Sequence, residues 1–202
     1  IKHDASKVME LTKINDTFYN GFNEEVDIEE KFVYPILKSS DISKSNIKPR
    51  KFIIITQKHV GSNTDNIRKE APKTWSYLIK HSKILDNRKS IIYKKQSRFA
   101  IFGIGEYSFS PWKVAISGLY KNINFSVIGM MDNKEIMLDD TCYFISCSSK
   151  QEAERICKAL NSKIAKEYLE SMIFYDSKRP IKVDILKKLN INILLKSYYQ
   201  LI

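Results

Sequence analysis

Short alternating runs of hydrophobic and polar residues occupy the middle of the chain, between residues 98 and 147. They have the length and the β-branched or aromatic composition of strands, and turn-forming residues separate them. The runs are RFAIFGI, WKVAISGL, NFSVIGMM, EIML and TCYFISC. A further apolar run upstream, KFIIITQ at 51–57, predicts a buried strand. The separator MDNKE has the composition of a hairpin turn. These patterns together predict a mainly antiparallel sheet.

Helical periodicity lies on both sides of these runs. Residues 62–89 predict helices that start near Asn63 or Thr64, and Pro72 is expected to end one helix and begin the next. A second helical region follows Ser149, with Glu152 three residues later as in a capping box. Its predicted helices are SKQEAERICKALNS, KIAKEYLESMIFY and VDILKKLNI.

The N-terminal residues 6–34 predict one or two short strands, with a turn at Asn20–Gly21. The whole pattern predicts an α+β fold: a mixed, mainly antiparallel sheet with flanking and C-terminal helices. We expect residues 1–202 to form a single domain. No apolar run reaches the roughly 20 residues of a membrane span, so we expect no membrane association. Because the chain starts at Ile1, we expect a fragment of a larger protein.

The net charge of +11 is concentrated in one part of the sequence. Residues 41–121 contain 17 Lys/Arg and 5 Asp/Glu, whereas the rest of the chain contains 17 and 18. Such a basic zone predicts a polyanionic partner. A lysine-rich composition without functional meaning is the alternative. The three cysteines, Cys142, Cys147 and Cys157, lack disulfide or zinc spacing and are expected in or near the core.

Two glycines in the central region raise the possibility of a cofactor loop. Gly103 and Gly105 suggest a dinucleotide loop, but the third glycine is missing and Pro111 interrupts the helix that should follow. We therefore interpret the glycines as a tight bend between two strands. Acidic pairs allow one enzymatic alternative, a metal-dependent endonuclease that uses Asp27, Glu29 and Asp140.

Cations and aromatic residues interleave around these glycines, as in nucleic-acid grooves. Phe109 and Trp112 are expected in the core, whereas Arg98, Tyr107 and Lys113 are expected to contact DNA. Lys178 and Arg179 either clamp phosphates or simply precede the last helix. The candidate DNA-binding residues are Lys58, Lys94, Lys95, Arg98, Tyr107, Lys113, Lys121, Lys178 and Arg179.

Several longer motifs resemble a known family. They are FVYPILKSSDI, APKTWSYLIKH, LDNRKSIIYK, RFAIFGIGEYSFSPWKVAISGLYK, LDDTCYFISCSSKQEAERICKALNS and IFYDSKRPIKVDILKKLNI. Over about residues 26–191, in matching order, they resemble the C-terminal target recognition domain of bacterial N6-adenine DNA methyltransferases. These enzymes belong to restriction–modification systems, here of a type II or IIG-like kind.

The resemblance implies a parent enzyme that binds S-adenosylmethionine in an N-terminal domain and methylates a flipped-out adenine. The family's Asn/Asp-Pro-Pro-Tyr/Phe catalytic run and its S-adenosylmethionine glycine motif do not occur in this sequence. We therefore expect a non-catalytic recognition domain without its own cofactor. Its expected partners are double-stranded DNA and the missing methyltransferase domain, in the cytoplasm. An alternative is a subunit-docking module that uses the C-terminal helices, including the tail LLKSYYQLI.

Recognition domains of this family vary most where they read DNA, so the base-reading residues are expected between the shared motifs. Asn and Gln suit adenine, and Lys suits guanine. The candidate readers are Lys58, His59, Asn63, Asn66, Lys94, Lys95 and Gln96.

Overall fold

The computed structural model describes residues 1–200, without the side chain of Gln200. The fold is α+β with mostly antiparallel strand pairing, as the sequence predicts. The chain forms two compact units. Unit 1 consists of Ile1–Ile36 and Pro49–Phe109, and unit 2 of Leu37–Lys48 and the described residues from Ser110 onward. The single-domain organisation stays a prediction.

Unit 1 combines a sheet with short helices. Its helices are α1 (Ser6–Met9), α3 (Ile67–Glu70), α4 (Pro72–Lys80) and α5 (Ser82–Asp86), with 3-10 turns at Glu30–Phe32, Ile91–Tyr93 and Glu106–Phe109. Its strands are β1 (Glu10–Ile14), β2 (Thr17–Tyr19), β3 (Glu25–Val26), β4 (Val33–Leu37, whose last residue belongs to unit 2) and β5 (Lys51–Ile54). They run in the order β4-β5-β1-β2-β3 with antiparallel neighbours.

Local signals explain several of these elements. The turn predicted at Asn20–Gly21 joins β2 to β3, and the Asn20 side-chain oxygen accepts the backbone N–H groups of Phe22 and Glu24. Pro72 begins α4 at its first position, as predicted, because proline needs no N–H donor there. The strand predicted at 51–57 forms over its first four residues, as β5.

The strand predicted over residues 98–104 does not form. Within the described residues this run makes a single isolated bridge, between Phe102 and Lys2. Side chains take backbone carbonyls that a strand would use: Thr56 donates to Phe99 O, and Arg88 donates to Ala100 O. The glycine bend therefore does not join two strands. Gly103 has a positive φ of 64°, whereas Gly105 lies against the Tyr107 ring, which leaves no room for a Cβ.

Unit 2 packs helices against a three-stranded sheet. Its helices are α2 (Ser39–Ser43), α6 (Lys150–Leu160), α7 (Lys163–Glu170), α8 (Val183–Leu186) and α9 (Ile191–Gln200). Its strands are β6 (Trp112–Ser117), β7 (Ser126–Ile128), β8 (Met130–Met131), β9 (Lys134–Glu135), β10 (Met137–Leu138) and β11 (Cys142–Cys147). The sheet order is β11-β6-β7, and β8 and β9 form the predicted hairpin.

Strand β6 is central, and alternate residues enter two cores. Val114 and Ile116 join the core that contains α6, α7 and Leu194 of α9. Ala115 joins a second core with Leu37 and Ile42 of the α2 region. Because both faces are covered, the strand contains no exposed position except partly at Trp112.

The predicted cap of α6 is present in modified form. Ser149 Oγ accepts the Glu152 N–H at 3.2 Å, but the Glu152 carboxylate accepts from Ser148 rather than from the cap residue itself. The three cysteines are unbridged, with Cys142 and Cys147 buried and Cys157 half-buried, as expected. Within residues 1–200 no helix has the length and apolar character to span a membrane.

Candidate nucleic-acid interface

Two loops of unit 1 that contain predicted DNA contacts are anchored to one another. The first follows β5 and begins at Gln57, whose buried amide donates to His59 O at 3.0 Å and Ile101 O at 3.3 Å. Thr56 Oγ1 donates to Phe99 O at 2.8 Å. These bonds fix the base of the loop, so Lys58 leaves a rigid support while its own side chain is exposed.

The second loop, residues 89–98, is held by Arg88. Its buried guanidinium donates to Leu85 O and Ala100 O at 2.7 Å each, and to Arg98 O at 3.0 Å. It also stacks 3.8 Å from the centre of the Tyr93 ring. Four carbonyls in all, with His3 O as the fourth, receive hydrogen bonds from this one side chain. Arg88 therefore shapes the loop and is buried away from solvent.

The two loops meet near their tips. Ser97 Oγ lies 3.5 Å from Asn63 Oδ1, and Gly61 lies beside the Gln96 side chain. The predicted readers Lys58, His59, Asn63, Asn66, Lys94, Lys95 and Gln96 are all exposed on these loops. Among the described residues, Lys58, Lys94 and Lys95 form no ion pair with an acid. Unit 1 therefore presents uncompensated positive charge beside amide side chains.

Arg98 differs from these lysines because an acid already neutralises it. Its Nε and Nη2 atoms donate to the two Asp86 carboxylate oxygens, the shorter bond being 2.6 Å. These hydrogen bonds hold the pKa of Asp86 below its ordinary value. A phosphate would have to compete with this carboxylate. Tyr107, 49% exposed on the 3-10 turn, has an accessible ring.

Lys113 does not fit the surface role expected of it. Its side chain is only 1% exposed, and its ammonium donates to Ser110 O at 2.8 Å. The alternation of β6 puts Lys113 on the same face as Ala115, toward the second core of unit 2. The buried Lys113 ammonium is therefore not positioned to contact a DNA phosphate directly. Phe109 and Trp112, expected in the core, are half-buried.

The remaining predicted residues lie in unit 2. Lys121 and Lys178 are exposed, whereas Arg179 is half-buried and pairs with Asp140, with Nη2 3.6 Å from Oδ2. The predicted set is thus divided between the units, with Lys58, Lys94, Lys95, Arg98 and Tyr107 in unit 1.

The acids of the nuclease alternative have structural roles. Glu29 accepts the backbone N–H groups of Lys73 and Thr74, and also the Thr74 hydroxyl at 2.6 Å. Desolvation raises the pKa of Glu29, but these hydrogen bonds outweigh it and hold the pKa at about 2. Asp27 pairs with Lys73 at 2.8 Å. Glu29 therefore caps helix α4, and its oxygens are occupied.

A cleft in unit 1 joins the first loop to the region around β4. It encloses about 420 Å³. Ile55 and Ile67 are buried in its lining, and Phe32 and Tyr34 are half-buried there. The polar and charged residues of the lining are Lys31, Thr56, Gln57, Lys58, Ser62, Asn63, Asn66 and Glu70.

Sequence reasoning missed one wall of this cleft. Lys31, Phe32 and Tyr34 lie in a stretch that reads as acidic, because Glu24, Glu25, Glu29 and Glu30 precede them. The backbone bond from Ile55 N to Phe32 O, 2.8 Å, brings this wall to the loop. The local cue was a lysine next to two aromatic residues in KFVY.

Comparison with known proteins gives an informative relative. No family model matches the chain. The chain is 51% identical over 197 residues to the type II methyltransferase M.NspV of Nostoc sp. (strain ATCC 29411 / PCC 7524). The match covers 97% of this chain but only 41% of the relative. Nearly the whole chain is therefore similar to about two fifths of a type II methyltransferase.

Proposed function

We propose that this chain is the target recognition domain of an S-adenosylmethionine-dependent N6-adenine DNA methyltransferase of a restriction–modification system. The observation that carries the proposal is the 51% identity to M.NspV along 97% of the chain. In this proposal the chain acts in the cytoplasm, where it binds double-stranded DNA and selects the DNA sequence to be methylated. The methyltransferase domain of the parent protein carries out the methyl transfer.

The glycines argue against a cofactor site here. Gly103 lies against the backbone of Ile1 and Lys2, and Gly105 lies against the Tyr107 ring, so neither lines an open cradle. The residues of this segment do not fit S-adenosylmethionine. We therefore assign the methyl donor to the remainder of the parent, and we derive no catalytic step from this chain.

The loops of unit 1 support a DNA-binding role. Lys58, Lys94 and Lys95 are exposed on supports fixed by Gln57 and Arg88. Lysines on such supports contact phosphates, and neighbouring amides contact base edges. We place the DNA face on these two loops. Lys121, Lys178 and Arg179 of unit 2 are further phosphate contacts in the proposal, and Arg179 would have to exchange its Asp140 partner for a phosphate.

The proposal is tested by titrating a fluorescently labelled duplex with the chain at about 50 and 200 mM salt. With about three phosphate contacts, the affinity should fall roughly 40-fold between the two concentrations. Repeated selection from a random duplex pool should then yield a defined motif. Salt-independent binding, no binding, or a pool without a motif would contradict sequence recognition by this chain.

A further inference from the structure

The cleft of unit 1 contains a more specific arrangement than a basic surface requires. We propose that it is a base-reading site, that its preferred base is adenine, and that Asn66 is its specificity-determining residue. The inference rests on the proposed DNA-binding function and goes beyond it by assigning one site, one base and the residue that selects it.

Asn66 has the side chain most available for reading among the asparagines of the cleft. It is exposed and occupies the N-cap position of α3, yet its side chain makes no capping hydrogen bond. Asn63, by contrast, uses its oxygen to accept the Asp65 N–H at 2.9 Å. An asparagine with both its oxygen and its nitrogen available can accept from adenine N6 and donate to N7.

Of the other polar lining groups, Glu70 is compatible with the same base. Gln57 is committed to structure, since its amide bonds His59 O, Ile101 O and the Ile101 N–H. Glu70 adds an exposed carboxylate to the lining, and a carboxylate accepts hydrogen bonds from a base amino group. Adenine offers an amino group next to an acceptor, whereas guanine and thymine present acceptors in the major groove. The Glu70 carboxylate therefore disfavours guanine and thymine, and the Asn66 amide separates adenine from cytosine, which presents an amino group without a neighbouring acceptor in the major groove.

Cations and apolar groups complete the site. Lys31 and Lys58 contribute exposed lysine side chains to the lining, and neither forms an ion pair among the described residues. They are suited to the phosphates that flank the base. Lys58 Nζ also lies 5.9 Å from the centre of the Phe109 ring. That ring makes an edge contact with the Tyr34 ring. Buried Ile55 and Ile67 supply an apolar surface, as in most small-molecule sites.

The experiment compares motifs selected from a random duplex pool by the full chain and by variants. Wild type should select a motif with at least one A·T pair. Asn66→Ala should lose the preference at one such position by about 5- to 150-fold, with the rest of the motif unchanged. Asn66→Gln should retain part of the preference, because glutamine also pairs with adenine. The matched control is Asn87→Ala, an exposed asparagine that lines a different hollow of unit 1.

The lysines give a second readout on the same duplex. Lys31→Ala and Lys58→Ala should each weaken binding to all sequences alike and reduce the salt slope by about 1. Lys163→Ala, in an exposed helical position of unit 2, should change neither.

The outcomes separate the two proposals. If wild type selects no motif, the recognition function itself is wrong. If wild type selects a motif that Asn66→Ala leaves intact, or if that variant weakens every sequence equally, the adenine site is overturned while DNA recognition stands. Circular dichroism of each variant verifies that it is folded, as expected for exposed side chains without structural hydrogen bonds.

Discussion

At the scale of single residues, Lys113 is a charge strongly altered by its burial. Burial lowers the pKa of its ammonium to about 8, and the charge of Glu135 opposes that shift only in part. The unfolded chain holds the proton up to the ordinary pKa of 10.5. Folding therefore releases a proton between these values, and the stability of the protein rises with pH across that window.

Replacing this lysine should remove that pH dependence. In Lys113→Met, a side chain of similar length without charge fills the site, so unfolding should require more free energy than in wild type near pH 7. The advantage should shrink by about 2–3 kcal/mol as the pH rises from 8 to 10. Urea denaturation at both pH values measures it. A constant difference would mean that the ammonium is already solvated in the folded state.

Arg88 provides a second prediction about one residue. Its planar guanidinium donates to carbonyls in four different residues, whereas the three N–H groups of a lysine lack the necessary fork. Arg88→Lys should therefore destabilise the protein by about 2–3 kcal/mol despite its unchanged charge. Thermal unfolding measures the loss, and exposed Lys89→Arg serves as the control. Equal melting temperatures would show that the carbonyls find other partners.

At the scale of elements, helix α4 depends on an acid 44 residues away in the chain. Its N-cap residue, Ala71, has no side-chain oxygen, and Glu29 supplies the missing acceptor. A negative group at this end also interacts favourably with the helix dipole. The acidic stretch that contains Glu29 is therefore part of the fold of unit 1.

Glu29→Ala should cost about 1–2 kcal/mol of stability at neutral pH. Because the folded pKa is about 2, below the ordinary value of 4.5, the contribution is complete above pH 4.5 and is lost as the pH falls toward 2. The free-energy difference from wild type should shrink across that range in chemical denaturation. Glu25→Ala, an exposed position of β3, is the matched control. A pH-independent difference would argue against the cap.

Elements with local signals were predictable, and those decided by distant partners were not. The Asn20 turn, Pro72 at a helix start and the β8–β9 hairpin are confirmed because each depends on neighbouring residues. The run at 98–104 has the composition of a strand, but side chains of Thr56 and Arg88 take its carbonyls. Such hydrogen bonds from other parts of the chain cannot be predicted from the residues of the run itself.

At the scale of the whole molecule, the basic centre of the sequence does not form one basic unit. Unit 1 contains 17 Lys/Arg and 12 Asp/Glu, and unit 2 contains 17 and 11. The acidic stretch neutralises part of α4, through Lys73 with Asp27 and Lys80 with Glu24. The distribution of charge along the sequence therefore does not by itself locate a binding face.

The sequence likewise reveals only part of the candidate site. The sequence could predict the exposure of Lys58, Lys94 and Lys95, because charged residues in loops between motifs are usually exposed. Lys113 was placed wrongly because alternation in a strand does not report whether one face or both are covered. The Lys31–Tyr34 wall of the cleft was missed because the KFVY run gives only its composition, whereas its place beside Ile55 is set by sheet pairing.

A charge-matched pair of double variants tests whether local contacts or net charge govern DNA binding. Lys94→Gln with Lys95→Gln removes two positive charges from the second loop of unit 1. Lys150→Gln with Lys163→Gln removes two from helices of unit 2, where each lysine lies near a glutamate one turn away. If the lysines contact phosphates, only the first variant should reduce the slope of log affinity against log salt, by about 1.8. If net charge alone attracts DNA, both variants should weaken binding equally, and the loops of unit 1 would lose their assigned role.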